Sequence, residues 1–306
     1  MKKDDSKIPP EALDAIKKQA FLALKKADAF GIFPTPVDQV LDIANVILAP
    51  DSDFGDGLLE RFKKKFGSIS DLVKKAKSKI IGLFDVVSKV IFIEKSLYPA
   101  RKIFLKLHET GHAFLPWQSK AYALIEECEQ TLSPEIADQF DCEANVFAKE
   151  VLFQCGSFTK EAADFPFRLA TPIELSKKYG ASIYASIREY VRSNHNACTA
   201  LVLEMPEFCE QYGFKAKVRR TESSAEFIRV FGQPSWPPFF SPNDSIGSII
   251  PVGKQRASKP KTIVLADSNG VEHECITEAF TQTYQVFILI CPIAALTKKT
   301  FVISRS

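Results

Sequence analysis

The segment LHETGHAF, residues 107–114, constrains this chain more than any other stretch. Its two histidines, His108 and His112, stand four residues apart, so on a helix they share one face, one turn apart. Both imidazoles can then approach a single tetrahedral metal ion. Glu109 lies about 100° round the helix from His108. Its carboxylate falls beside such an ion instead of in its ligand shell, where a general base takes the proton of a water attacking a polarised carbonyl. Gly111, next to His112, leaves room for another element to come close. The chain has only four histidines, and two of them are here. The rival reading of so short a motif is a surface helix that happens to carry two histidines.

A catalytic zinc site normally takes three protein ligands and a water. The stretch DCEANVFAKEVLF, residues 141–153, offers Asp141 and Glu143. Two positions are about 200° apart on a helix, so both cannot face the metal. Asp141 shares its side with Ala137, Ala144, Asn145 and Ala148, mostly small residues that let two helices pack closely. Glu143 shares its side with Gln139, Val146 and Glu150, which read as solvated. Asp141 is the expected third ligand and Glu143 the alternative, otherwise read as a surface charge. An Asp reaches one methylene less far than a Glu, so this choice requires closely packed helices. Manganese or another divalent ion also suits two histidines and a carboxylate.

Around these motifs the pattern is helical and then β-rich. Apolar residues recur at helical spacing from Glu11 to Ala29, with Gly31 as a stop, and Thr35 is expected to cap a helix with Pro36 at its first position. Short helices are expected over Leu58–Phe66 and Ser70–Lys79. Ile80–Ile93 reads as two strands with a turn near Ser88. Helices follow over Pro99–Leu115 and Pro134–Phe153, the second capped by Ser133. A helix-turn-helix-like pair, about 171–193, joins through Gly180. Beyond it, Ala200–Leu203, Phe227–Phe231, Ile263–Ala266 and Tyr284–Ile290 are candidate strands, with a hairpin at Asn269-Gly270. The domain boundary is placed between residues 195 and 196.

Composition adds exclusions. A net charge of +3 does not by itself imply nucleic acid, and the lysine clusters Lys63–Lys65 and Lys74–Lys79 read as solvated helix faces. The N-terminal MKKDDSKIPP lacks the apolar core of a signal peptide, and Val286–Leu296 is too short to span a bilayer. Seven cysteines without regular spacing make no disulfide framework. The expected location is the cytoplasm, away from membranes.

Together, HETGH and DCEANVFAKEVLF resemble the ImmA/IrrE family of zinc metallopeptidases, whose pattern is HExxH followed by ExxANxFA. Asp141 aligns with the family's third ligand, Ala144-Asn145 with its AN pair and Phe147-Ala148 with its FA pair. KVIFIEKSL, leading into the first motif, is also similar, and the likeness spans about residues 15–195. Asp141 departs from the family's usual Glu. The resemblance implies a zincin-like metallopeptidase core with the helix-turn-helix-like pair over 1–195; with the strands that follow, the expected fold class is α+β, and the separate small β-rich domain over 196–306 is a candidate sensing or docking module. The resemblance further implies a gluzincin-like endopeptidase with Zn2+ on His108, His112 and Asp141, Glu109 as base, and a helix-turn-helix transcriptional repressor as substrate. The rival is a non-catalytic regulator that binds a partner protein or DNA and keeps a vestigial metal site.

Other features read as structural. The second helix of the pair carries only Arg188 and Arg192 as cations, too few phosphate contacts for a DNA reader. His195 is a loop histidine and His273 a strand residue on an exposed side. Cys142 lacks a partner histidine or a helix N-terminus and reads as a packed thiol. Trp117 and Phe114 are expected to pack behind the metal helix. Lys215, Lys217 and Arg219 alternate along a wetted strand.

Overall fold

The computed structural model describes residues 8–48, 82–85, 89–93, 96–127, 132–253 and 256–296. The helices expected over Leu58–Phe66 and Ser70–Lys79, with both lysine clusters, lie outside the described residues. The fold is α+β, with a helical part and a curled antiparallel sheet. The chain groups into two compact units, Met1–Phe158 with Lys177–Ser182, and Thr159–Ser176 with Ile183–Ser306.

The first unit is built on α1 (Pro10–Lys26), α2 (Val37–Ile43), α3 (Pro99–Phe114), α4 (Pro116–Glu127) and α5 (Pro134–Leu152). Its small sheet holds β1 (Ile47–Leu48), β2 (Gly82–Asp85) and β3 (Val90–Ile93) in the order β1-β3-β2. Strand β3, which leads towards α3, is central: it runs parallel to β1 and antiparallel to β2. Among the described residues the sheet's edges are therefore β1 and β2. Pro99 opens α3 and Pro116 ends it, because the residue before a proline leaves the helical region; Leu115 is extended at ψ 112. Ser133 caps α5 by accepting from the Ile136 amide, as the sequence suggests. Thr35 does not cap α2. Its hydroxyl turns instead to the carbonyls of Val151 and Leu152 at the end of α5, where the buried Gln154 ties the same loop through Gly31, Ala29 and Ile32.

Ile16, Ala20 and Leu24 of α1 are fully buried, as are Ala144, Phe147, Ala148 and Val151 of α5. Here α3 and α5 meet most closely. A Cβ on Gly111 would stand 3.2 Å from Ala144 Cα and 3.2 Å from Phe147 Cδ1. Tyr179 closes the far end of this core against Phe33 and Phe158, at ring separations of 4.7 and 5.3 Å.

The second unit contains α7 residues up to Ser176 (α6 spans Ser157–Ala162 and α7 Ala170–Tyr179), α8 (Ile183–Arg192), and strands β4 (Thr199–Glu204), β5 (Glu207–Cys209) and β6 (Gly213–Ser223). Helix α9 (Ala225–Phe231), β7 (Phe239–Phe240), β8 (Lys261–Ala266), β9 (Glu272–Gln282), β10 (Gln285–Pro292) and α10 (Ile293–Leu296) complete it. Its described strands form an antiparallel sheet in the order β5-β6-β4-β10-β9-β8, with β7 on β6. The core beneath it includes Leu201, Leu203, Ile263, Cys275, Val286 and Ile288. The Asn269-Gly270 turn joins β8 to β9; Asp267 accepts from the amides of Asn269 and Val271, and Gly270 takes φ +81°.

One expectation changes here. Phe227–Phe231 is helical, because Ser224 caps it at the Phe227 amide and Phe227 stacks on Phe231 one turn on, 4.5 Å apart. Helix α8 belongs with the sheet, since Arg188 and Arg192 both donate to Glu222 of β6 at 2.8 Å and Tyr190 stacks on Phe167. No helix among the described residues is long and apolar enough to cross a membrane.

Gly111→Val should destabilise the protein by about 1–3 kcal/mol, since the added methyls have no space against Ala144 and Phe147. Urea unfolding of both proteins measures the difference, and equal stability would show that the helices can separate at no cost.

Candidate metal centre

Helix α3 carries His108, Glu109 and His112 on a face turned inward; Glu109 and His112 are buried. One ligand atom from each of the three lies within 4.8 Å of the other two, a group able to hold a metal ion. The Nε2 atoms of His108 and His112 are 3.3 Å apart and the rings stand at 90°. Two nitrogens at ordinary bond lengths from a tetrahedral zinc are separated by about 3.3–3.4 Å. The pair thus has the spacing that one ion requires.

From α5, Asp141 Oδ1 comes to 3.6 Å from His112 Nε2 and 4.0 Å from His108 Nε2. Its side chain is about one-third exposed, open to an ion and to water. Glu143 is directed elsewhere. Both its oxygens are occupied: Oε2 accepts from Trp117 Nε1 and Gln118 Nε2, each at 2.7 Å, and Oε1 from Gln139 Nε2 at 2.9 Å. The expectation of a solvated Glu143 side is corrected, because Glu143 and Val146 are only 2% exposed and Glu150 9%. Of that side of α5 only Gln139 is exposed, and α4 supplies Trp117 and Gln118 to Glu143.

Behind His112 stands Gln118, fully buried on α4, with Oε1 2.8 Å from His112 Nδ1 and Nε2 donating to the Phe140 carbonyl at 3.1 Å. Tyr122, one turn further along α4, sets its ring edge-on to His112 at 6.0 Å and to Phe140 at 5.7 Å. Burial, assisted by Glu109, pushes its phenol up to about 12. The sequence reading passed over Gln118 and Tyr122 because it assigned no helix after Pro116. Trp117, expected to pack, is also a hydrogen-bond donor. Phe114 packs as expected, on Phe147 at 5.6 Å.

Of the other candidates that the sequence offered, none is in the group of His108, Glu109 and His112. His195 is exposed in a loop, and His273 pairs with Asp267 at 3.1 Å and sits on the Phe231 ring. Cys142 is partly buried, and burial pushes the Cys155 and Cys198 thiols up to about 12.

No protein-family model matches the chain, and no curated protein matches it. Among solved structures, a Mycobacterium tuberculosis transcriptional regulator shares the fold at a TM-score of 0.51 and 13% identity, over 93% of this chain and 81% of the regulator.

Desolvation raises the Glu109 carboxyl from 4.5 to about 7. Between those values the folded metal-free protein holds a proton that the unfolded chain releases. The contribution of Glu109 to stability is therefore fully present below pH 4.5 and is lost as the pH rises through about 7. Gln in place of Glu109 mimics the protonated form at every pH. In chelator, Glu109→Gln should exceed the wild type by about 3 kcal/mol at pH 8 and match it near pH 4. Denaturant melts at the two pH values test this, and a gap that does not change with pH would refute it.

Proposed function

We propose that this chain is a cytoplasmic zinc-dependent endopeptidase of the ImmA/IrrE type that cuts a helix-turn-helix transcriptional repressor. The observation that carries the reading is the 3.3 Å approach of the two Nε2 atoms with Asp141 Oδ1 beside both. His108, His112 and Asp141 are the three ligands proposed to hold zinc, and they fit it by donor type and spacing. When bound, zinc supplies a Lewis acid for a carbonyl and acidifies water. Glu109 lies among the same atoms but belongs to α3, one residue from His108, and is left to accept a proton from the attacking water. The same carboxyl would then be placed to pass that proton on to the leaving amine. Tyr122 and Phe140 narrow the space on the His112 side.

The second reading, a non-catalytic regulator of a protein or DNA partner, draws support from the fold shared with a transcriptional regulator. Against its DNA form, Arg188 and Arg192 are engaged with Glu222 instead of facing outward as a set. A general base would also have no purpose in a purely structural site.

Purified wild type should hold about one zinc per chain, and His112→Ala and Asp141→Ala should hold little. Glu109→Gln should retain the metal while cleavage of a helix-turn-helix repressor encoded beside it falls at least 10²-fold or so. Metal analysis and a gel-based cleavage assay read both. A wild type that takes up no zinc when supplied would decide for the non-catalytic regulator, and zinc retained in Asp141→Ala would remove Asp141 from the ligand set.

A further inference from the structure

We infer that Gln118 is a positioning residue that fixes His112 in the tautomer able to bind a metal, and that Glu143 holds Gln118 in the orientation this needs. The inference rests on the reading of His112 as a ligand.

The argument begins with the Gln118 amide. Its Nε2 faces two groups that accept hydrogen bonds, the Phe140 carbonyl at 3.1 Å and Glu143 Oε2 at 2.7 Å. Were the amide turned over, its oxygen would confront that carbonyl and that carboxylate with no proton between them. In a site that is fully buried, each such mismatch costs about 1–3 kcal/mol. The amide is therefore held with Oε1 towards His112 Nδ1, at 2.8 Å. An amide oxygen can only accept. His112 must then carry hydrogen on Nδ1, which leaves the lone pair of Nε2 directed at the place shared with His108 Nε2 and Asp141 Oδ1.

Glu143 is the outer end of this chain. Three donors from neutral side chains converge on its carboxylate, those of Trp117, Gln118 and Gln139, and it is 2% exposed. Helix α5 thus serves the centre twice. Asp141 reaches the imidazoles directly, and Glu143, about 200° round the same helix, acts on His112 through Gln118. Support of this kind raises ligand basicity and fixes ring orientation, and its loss typically costs 10–100-fold in metal affinity.

The test reads the tautomer without metal. In zinc-free wild type at pH 8, the 15N shifts of labelled histidine should show His112 protonated at Nδ1 and bare at Nε2. In Gln118→Met, of similar length and without an acceptor oxygen, that preference should vanish and zinc affinity, from competition with a chromophoric chelator, should fall about 10–100-fold. Glu143→Leu should cause a smaller fall, because the Phe140 carbonyl still holds the amide. Circular dichroism and the melting temperature of the zinc-free variants establish that they are folded. An Nε2-protonated His112 in wild type would overturn the inference, and this needs no variant. Unchanged zinc affinity in a folded Gln118→Met would overturn it while leaving the peptidase reading intact. A wild type that binds no zinc, with His112 protonated at Nδ1, would instead sink the ligand reading.

Discussion

Helices α3 and α5 cross closely at Gly111, where a Cβ would stand 3.2 Å from Ala144 Cα, tighter than ordinary contact. Much else follows from that contact. It brings the short side chain of Asp141 within 3.6 Å of His112 Nε2, a reach that a wider crossing would have denied an aspartate. It seats Phe147 against Phe114 and anchors α5 in the core formed with α1. The close helices thus let the short carboxylate of Asp141 come beside both imidazoles.

How much of this was legible beforehand depends on the range of the interactions involved. Spacing within one helix is local, so His108, Glu109 and His112 could be placed on α3 and brought together on paper. The choice of Asp141 over Glu143 rested on small residues beside Asp141, of which Ala144 lies against Gly111 of α3. The solvated reading of Glu143 failed because what buries it comes from α4, a different segment. A signal for α4 existed: Pro116 is a helix opener, and Gln118 and Tyr122 are one turn apart on one face. The Phe227–Phe231 run shows the converse failure. A short aromatic stretch suits either strand or helix, and the Ser224 cap decides between them.

The second unit is held by a different kind of bond. Arg188 and Arg192 on α8 converge on Glu222 of β6, whose side chain is only 11% exposed, and Arg220 reaches Tyr184. Arg188 and Arg192 are the cations that the sequence offers on the second helix of the pair, and their engagement with Glu222 ties α8 to the sheet.

The buried Gln118 has a consequence in entropy. A glutamine side chain that goes from free to fixed loses rotamer freedom worth roughly 1.5–2 kcal/mol. In the folded chain Phe140, Glu143 and His112 together hold all of the amide. An ion reaching the imidazoles would meet a His112 ring with little freedom left to lose. The affinity of the centre then becomes partly a property of how firmly α4 is seated. Changes that loosen α4 far from the histidines would weaken metal capture without altering a single ligand.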